Sequence, residues 1–204
     1  MTFSTTTLKV RPDATCLVEE LGSAWPEFLH HGEILNWQAI YERFPGYQIL
    51  LHDESGTLLG VGHCAPIRWD GSPEDLPENI HTIIARACDL QEIGDPPNTV
   101  SALAIIVKPE FQRQGHSARI LTAMRELAAT MGGHSVIAPV RPILKSRYPL
   151  VDFARYLQWT QPDGSPFDPW IRLHWRMGAR QVHIAPTGIR VEGTVSEWEN
   201  WTNL

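Results

Sequence analysis

The stretch from Ser101 to Leu121, SALAIIVKPEFQRQGHSARIL, constrains the fold of this 204-residue chain more than any other. Its apolar run ends at Lys108-Pro109, and a polar turn containing Gly115 then leads into a helical pattern. Such a sequence predicts a strand, a tight turn and the N-terminus of a helix. The backbone N–H groups of such a turn can converge on one anion, because a helix N-terminus carries partial positive charge. We therefore expect an anion site at this turn.

Charge is distributed unevenly along the chain, whose net charge is −6. Residues 1–107 carry a balance of −10, residues 108–155 a balance of +5 and residues 156–204 a balance of −1. The basic block surrounds the turn at Gly115, where it would attract a polyanionic ligand. A solvated basic face explains the same block equally well. The overall acidity of the chain disfavours nucleic acid as a partner.

The composition predicts one globular domain over residues 1–204, because 43% of the residues are apolar and 20% are charged. Cys16, Cys64 and Cys88 are isolated, which argues against a disulfide framework or a zinc site and fits a reducing compartment. No leader pattern is recognised at the N-terminus. No apolar run approaches the roughly 20 residues of a membrane span. We therefore expect a cytoplasmic protein that binds no membrane and no metal.

Apolar periodicity along the rest of the chain predicts alternating helices and strands. The predicted helices lie within 14–43 and 80–90, after the turn at 112–117 as far as 131, and at 170–177. The predicted strands lie at 7–10, 47–52, 57–65, 102–107, 135–140, 181–185 and 189–195. Gly132-Gly133 is expected to end the third helix, and residues 186–188 to form the last turn. This order predicts a mixed α/β (α+β) fold, with a hairpin at each end of a partly parallel centre.

Residues 107–117 resemble motif A of the GNAT acyltransferase superfamily. That motif is an apolar strand, then Pro, an aromatic residue, and Arg/Gln-x-x-Gly-x-Gly/Ala at the start of a helix. Here its positions hold Val107, Pro109, Phe111, Gln112, Gly115 and Ser117, of which Ser117 departs from the usual Gly or Ala. A second family pattern, Phe/Leu-Tyr-x-x-Leu-Gly-Phe, resembles residues 173–179, where His174 replaces the Tyr and Ala179 replaces the Phe. The resemblance implies a single GNAT-like domain, with a twisted mixed sheet, helices on both faces and a splayed central strand pair.

The resemblance also implies that acetyl-CoA is the co-substrate. Coenzyme A would lie in the splay between the strands at 102–107 and 135–140, and its pantetheine amides would bond to the first strand as an added strand does. The implied backbone contacts of the pantetheine are Ala104, Ile105, Ile106 and Val107. The implied contacts of the pyrophosphate are Gln112, Arg113, Gln114, Gly115, His116 and Ser117, with Arg119 as a further cation.

The implied reaction is direct transfer of an acetyl or other short acyl group from the thioester to an amine of a small molecule. A backbone N–H at Ile106 or Val107 would polarise the thioester carbonyl. His174, by its place in the second pattern, would be the general acid that protonates the leaving thiolate. A helix histidine packed against Trp170 or Trp175 is the structural alternative.

No carboxylate on the strand at 102–107 can serve as the general base. His63, Cys64 and Asp152 are candidates for that role, and each also has a structural explanation. Tryptophans are frequent in the segments expected to surround the acceptor, where they line a pocket or fill the core. The absence of the family's Tyr and carboxylate keeps two other functions open: a catalytically silent acyl-CoA binder, and an enzyme acting on a carrier-protein thioester. A homodimer is also left open.

Overall fold

The computed structural model describes residues 2–22, 25–31, 37–131, 135–185 and 188–203, which contain one five-stranded sheet in the order β1-β2-β3-β4-β5. The strands are β1 (Phe3–Thr7), β2 (Gln48–Asp53), β3 (Leu58–Ile67), β4 (Thr99–Val107) and β5 (Ser135–Ile137). Each neighbouring pair from β1 to β4 is antiparallel, whereas β4 and β5 are parallel. This mixed sheet confirms the predicted fold class.

Helices alternate with the strands in the first part of the chain and dominate the rest. They are α1 (Thr15–Leu21), α2 (Trp37–Arg43), α3 (Ile80–Ile93), α4 (His116–Thr130), α5 (Phe153–Leu157), α6 (Pro169–Arg176) and α7 (Val195–Thr202). The chain separates into two compact units: unit 1 is Met1–Ala138 with Thr187–Leu204, and unit 2 is Pro139–Pro186. The single domain over residues 1–204 stays a prediction. No helix in the described ranges is long and apolar enough to cross a membrane.

Strand β3 carries helices on both of its faces, because successive residues of a strand point to opposite sides. Val61 is fully buried in a cluster that includes Val18 of α1. The next residue, Gly62, faces α4: a Cβ atom there would lie 2.3 Å from a methyl carbon of Ile120 and 2.7 Å from the methyl carbon of Met124. The glycine therefore lets α4 approach the sheet closely, and the prediction of helices on both faces is confirmed.

The predicted C-terminal hairpin is wrong. Residues 181–185 are irregular, and the chain forms α7 where the second strand was expected to end. The side chain of Thr194 accepts a hydrogen bond from the N–H of Glu197 (3.3 Å), and the Glu197 carboxylate accepts one from the N–H of Thr194 (2.7 Å). This capping box starts a helix and outweighs the alternating pattern of residues 189–195.

The first strand was predicted four residues too late. β1 ends at Thr7, whose carbonyl accepts hydrogen bonds from the N–H groups of Val10 and Arg11 (both 2.9 Å), so the chain turns there. Val10 is exposed after this turn and contributes nothing to the core. The predicted helix end at Gly132-Gly133 and part of the predicted turn at 186–188 lie outside the described residues.

Candidate functional site

Strands β4 and β5 diverge after a short parallel contact. They pair only at Thr99–Ser135, Val100–Val136 and Ser101–Ile137, whereas β4 continues to Val107. β5 is therefore shorter than the predicted strand at 135–140. The second half of β4 pairs with β3 on one side and, within the described residues, has no strand partner on the other. This is the splayed strand pair that the resemblance implied.

The four predicted pantetheine contacts divide into two pairs. The N–H of Lys108 donates to the carbonyl of Leu59 on β3 (3.0 Å). Backbone groups of alternate residues point to the same side of a strand, so those of Ile106 and Ala104 also face β3. Those of Ile105 and Val107 face the side that β5 has left. Of these four residues, Ile105 and Val107 offer their backbone groups to an added strand. Of the two predicted carbonyl-polarising N–H groups, that of Val107 faces the open side and that of Ile106 faces β3.

A β-bulge lies beside these residues. The pairing of β3 and β4 passes from His63–Ala104 to Cys64–Ala102, so Leu103 has no partner in the ladder. A bulge bends its strand and redirects the neighbouring backbone, and bulges are frequent next to active sites. Here the bulge lies at the point where β4 begins to run without β5.

The turn between β4 and α4 holds its backbone in an unusual conformation. Arg113 has φ +62°, a left-handed value that costs a residue with a side chain about 1–2 kcal/mol. Gly115 has φ +81° and caps α4 without any side-chain hydrogen bond. Among the described residues, the N–H groups of Arg113, Gln114 and Gly115 have no hydrogen-bond partner. Strain concentrated in a turn of free N–H groups favours an anion site.

Other predicted residues of the turn brace it instead. The amide side chain of Gln112 donates to the carbonyl of Val107 (3.2 Å), and the N–H of Gln112 donates to that of Pro109 (3.3 Å). The backbone N–H and one side-chain N–H of Gln112 are thus engaged within the protein, and its role as a ligand contact stays a prediction. Gln114 donates its side-chain amide to the carbonyl of Glu110 (3.3 Å), so only its backbone N–H is free.

The side chain of His116 points into the protein. It is 3% exposed, lies edge-on to the ring of Phe3 with the ring centres 5.2 Å apart, and its Nδ1 atom has no hydrogen-bond partner among the described residues. Burial, together with the nearby charge of Arg119, lowers the pKa of His116. The guanidinium of Arg119 lies 4.2 Å from the centre of the Phe3 ring. His116 and Ser117 begin α4, so their backbone N–H groups lack partners within the helix.

The three candidates for the general base have structural roles. His63 is 1% exposed, bonds through Nδ1 to the amide oxygen of Gln48 (3.0 Å), and burial lowers its pKa to about 3. The Cys64 thiol donates to the carbonyl of Tyr47, and burial raises its pKa. Asp152 accepts the N–H of Arg155 (3.0 Å) at the start of α5. A base must reach its proton, and the burial of His63 and Cys64 argues against that role for both, whereas Asp152 is exposed and stays a candidate.

In unit 2, His174 lies half-buried on α6. Its Nδ1 atom is 2.9 Å from the carbonyl oxygen of Trp170, one helical turn earlier, and the Trp170 ring meets the imidazole edge-on with the centres 4.6 Å apart. Burial lowers the pKa of His174, and the hydrogen bond to Trp170 partly opposes this shift. The predicted packing against Trp170 is therefore present, and it leaves Nε2 without a hydrogen-bond partner in the described part of the chain.

Asp168 organises unit 2 and was missed by the sequence analysis. It is 2% exposed and accepts the hydroxyl of Tyr156 (2.9 Å) and the N–H of Leu144 (2.8 Å). It also caps α6 by accepting the N–H groups of Trp170 (2.9 Å) and Ile171 (3.3 Å). The signal was present as Asp168-Pro169, because Asp before Pro is typical of a helix start.

Two of the tryptophans pack against other aromatic rings, whereas Trp175 is 51% exposed. Trp159 packs against Tyr148, Tyr156 and Phe167 in unit 2, with ring centres 4.9–5.5 Å apart. In unit 1, Trp201 stacks on His31 at 4.3 Å. No group of three or more His, Cys, Asp or Glu side chains in the described ranges could hold a metal ion.

Known proteins share this architecture. No family model matches the chain. An arginine N-acetyltransferase of Aspergillus versicolor, avaD, is 26% identical over 98% of this chain and 76% of its own length. The loading GNATL domain of CurA from Lyngbya majuscula superposes with a TM-score of 0.69 at 22% identity, covering 99% of this chain and 94% of that domain. The GNAT-like decarboxylase GphF, solved in complex with isobutyryl-CoA, gives a TM-score of 0.58 at 18% identity, covering 88% and 86%.

These similarities agree with the geometry of β4, its turn and α4. The splay and the free N–H groups lie in unit 1, in the segment that resembles motif A, and the bulge, which was not predicted, lies beside them. The prediction of a GNAT-like fold is confirmed by these two structures.

Proposed function

We propose that this chain is an acyl-CoA-dependent N-acyltransferase, which moves an acetyl or other short acyl group to an amine of a small molecule. One observation carries the proposal: the open side of β4 leads directly into the strained turn at Arg113–Gly115 and the N-terminus of α4. An extended chain ending in a phosphate group would meet backbone partners along its whole length there.

The residues of this region fit coenzyme A. No acidic residue lies in the first turn of α4, and a Cβ on Gly115 would meet no protein atom within 4 Å, so the backbone is open at the turn. Arg113 and Arg119 supply positive charge. Ile105 and Val107 supply the free backbone groups for the pantetheine amides. Coenzyme A, as co-substrate, brings the thioester that activates the acyl group.

We assign the chemistry to two groups of this chain. The N–H of Val107 polarises the thioester carbonyl, because it faces the open side of β4. His174 supplies a proton to the departing thiolate, which its place in the second family pattern supports. The acceptor nitrogen forms a bond to the carbonyl carbon, the carbon–sulfur bond breaks, and the nitrogen loses a proton.

A cationic amine is the acceptor class that the charges favour. Residues 1–107 carry a balance of −10, which raises the local concentration of a cation near unit 1. The relative from Aspergillus versicolor is named for arginine, a cationic amino acid. We therefore place arginine and other guanidinium or ammonium compounds first among the acceptors to be tried.

The test measures release of free thiol from acetyl-CoA by the purified chain. Arginine, a neutral amine and an alcohol of matched size serve as acceptors, and the alcohol controls for hydrolysis. Thiol release that depends on an amine supports the proposal. CoA binding without such release would instead identify a silent binder, and release only with an acylated carrier protein would identify an enzyme of carrier-bound thioesters.

A further inference from the structure

Two buried polar side chains of unit 1 lie beside the β-bulge and bond to each other. Gln48 on β2 is 0% exposed and His63 on β3 is 1% exposed. The amide nitrogen of Gln48 donates to the carbonyl oxygens of Phe44 (2.9 Å) and Cys64 (3.1 Å). Because these oxygens can only accept, the amide nitrogen must face them, and the amide oxygen accepts the Nδ1 hydrogen of His63 (3.0 Å). Both polar atoms of the amide are therefore engaged.

The amide of Gln48 replaces a hydrogen bond that the ladder lacks at the start of β2. Gln48 pairs with His63, so the next pair of the ladder would be Tyr47 and Cys64. The N–H of Tyr47, however, donates to the carbonyl of Phe44 (2.9 Å) and not to β3. A buried carbonyl without a partner is costly, and the side-chain amide supplies the donor that Cys64 would otherwise lack.

These hydrogen bonds hold β3 on both sides of the bulge. The register of β3 with β4 shifts between His63 and Cys64, and Leu103 is the extra residue of β4 at this shift. Gln48 holds His63 by its ring and Cys64 by its carbonyl. We refer to Gln48, His63 and the Cys64 carbonyl as the Gln48 network.

The bulge decides which N–H groups of β4 face the open side. Cys64 pairs with Ala102, and a regular ladder continued from this pair would place Val107 opposite Leu59. The carbonyl of Leu59 faces β4, where it accepts the N–H of Lys108 (3.0 Å). Without the bulge, the N–H of Val107 would therefore donate to β3, because a slip of one residue exchanges the two sides of a strand.

The packing on the face of the sheet opposite α4 needs the same extra residue. Leu103 and Ile106 are both buried in the clusters on that face, Leu103 with Ala65 and Ile106 with Val61. Residues three apart point to opposite faces of a regular strand, so the bulge is what lets both be buried there. His63 lies between Val61 and Ala65 on β3, so the Gln48 network stands where the two clusters meet.

We propose that Gln48 and His63 are positioning residues, which hold the bulge and thereby aim the N–H of Val107 at the open side of β4. This inference rests on the proposed function, in which that N–H polarises the thioester carbonyl. A buried polar network whose members are all satisfied specifies one arrangement of the chain around it. The Gln48 network therefore acts on the reaction through the register of β4.

The register can be read by NMR without turnover. Gly60 and Val107 form a pair without mutual hydrogen bonds, so their Cα atoms lie about 4.5 Å apart and their Hα protons should give a strong contact. Gln48→Leu is expected to weaken this contact and to add one between Gly60 and Ile106, because both registers are then populated. Val18→Ala, which truncates a buried residue of α1, is the control and should lower Tm without altering either contact.

Kinetics on the same variants separates positioning from stability. The N–H of Val107 acts in the transition state, whereas the turn at Arg113–Gly115 is left intact. Gln48→Leu is expected to lower kcat about 10- to 1,000-fold, because an oxyanion donor is misplaced, and to raise the Kd of CoA by a smaller factor. Val18→Ala should leave kcat and Kd unchanged at a temperature where it is folded.

A second variant tests the network more gently. His63→Phe removes the bond to the Gln48 amide oxygen but keeps a ring against Trp37 and Tyr41, whose ring centres lie 5.0 and 5.5 Å from that of His63. We expect changes in the same direction as those of Gln48→Leu and smaller in size. If Gln48→Leu does not fold, His63→Phe decides the question in its place.

Separate results bear on the inference and on the function beneath it. A Gly60–Val107 contact that stays unchanged in the folded variants, or a kcat that falls no more than in Val18→Ala, would overturn the inference alone. If the wild-type chain releases no thiol with any amine, the proposed function fails and the aim of Val107 at a thioester fails with it. The NMR contacts would then still decide whether the Gln48 network holds the bulge.

Discussion

The variant Gly115→Ala distinguishes the effect of this glycine on the stability of the fold from its effect on ligand binding. Gly115 has φ +81°, and a Cβ there would meet nothing within 4 Å. Gly56, in the turn between β2 and β3, has φ +85° and equally open surroundings, so Gly56→Ala is a matched control. Both variants incur only left-handed backbone strain, about 1–2 kcal/mol. In a chain of this size we expect each to lower Tm by about 2–8 °C.

The two variants should differ in their affinity for CoA. Backbone strain is present with and without ligand, so it cancels from the dissociation constant. A Cβ at Gly115 stands among the N–H groups that we propose for the pyrophosphate, and it prevents their close approach. We expect the Kd of CoA to rise about tenfold or more for Gly115→Ala, which corresponds to about 1.4 kcal/mol. Gly56→Ala should stay within about twofold of the wild type.

Thermal unfolding and calorimetric titration with CoA measure the two effects on the same samples. The titration is run at one fixed ionic strength, because screening changes the affinity for a polyanion. Equal CoA affinities for the two variants, after equal losses of Tm, would refute the placement of the pyrophosphate at this turn.

Three further predictions follow from the packing and the strain. Gly62→Ala should lower the free energy of unfolding, measured in urea, by about 1–3 kcal/mol, because the new Cβ would overlap side chains of α4. Gly22→Ala is the control and should not lower it, because Gly22 has φ −57° and nothing lies within 4 Å of the added Cβ. Equal losses for the two variants would contradict the close contact at Gly62. Arg113→Asn should leave stability equal or higher, because Asn tolerates φ +62°, yet weaken CoA binding most at low salt; an unchanged Kd at low salt would remove Arg113 from the site. Alkylation should modify the exposed Cys16 in the folded chain and spare the buried Cys64 until unfolding, and equal rates would show that Cys64 is accessible.

Local sequence signals were sufficient to predict β4, the turn that follows it and α4. The apolar run, Pro109 and Gly115 each act within a few residues of their own position, so their consequences can be derived without the tertiary structure. The detailed contacts could not be derived in this way. Which of Ile106 and Val107 faces the open side depends on the register with β3, and the burial of His116 depends on Phe3, more than a hundred residues away.

Two parts of the chain were harder to predict. In the C-terminal part, local signals for a strand and for a helix compete, and in unit 2 contacts between residues distant in sequence determine the structure. Residues 189–195 alternate as a strand does, but the capping box of Thr194 and Glu197 favours a helix. Asp168 gathers Leu144 and Tyr156 by hydrogen bonds that span 24 and 12 residues. Hydrogen bonds between residues so far apart in sequence produce no periodic pattern from which they could be predicted.

Because β5 pairs with β4 only as far as Ser101, the rest of β4 is unpaired on one side, as an edge strand is, although β4 lies inside the sheet. From Ala102 to Val107, β4 carries only apolar residues, with no lysine, proline or other charge to discourage pairing with a foreign strand. Its amide hydrogens at Ile105 and Val107 should exchange with solvent faster than those at Ala104 and Ile106, although all four lie in one strand. Any ligand that pairs with this side also shields it, so ligand binding should slow both exchange and self-association.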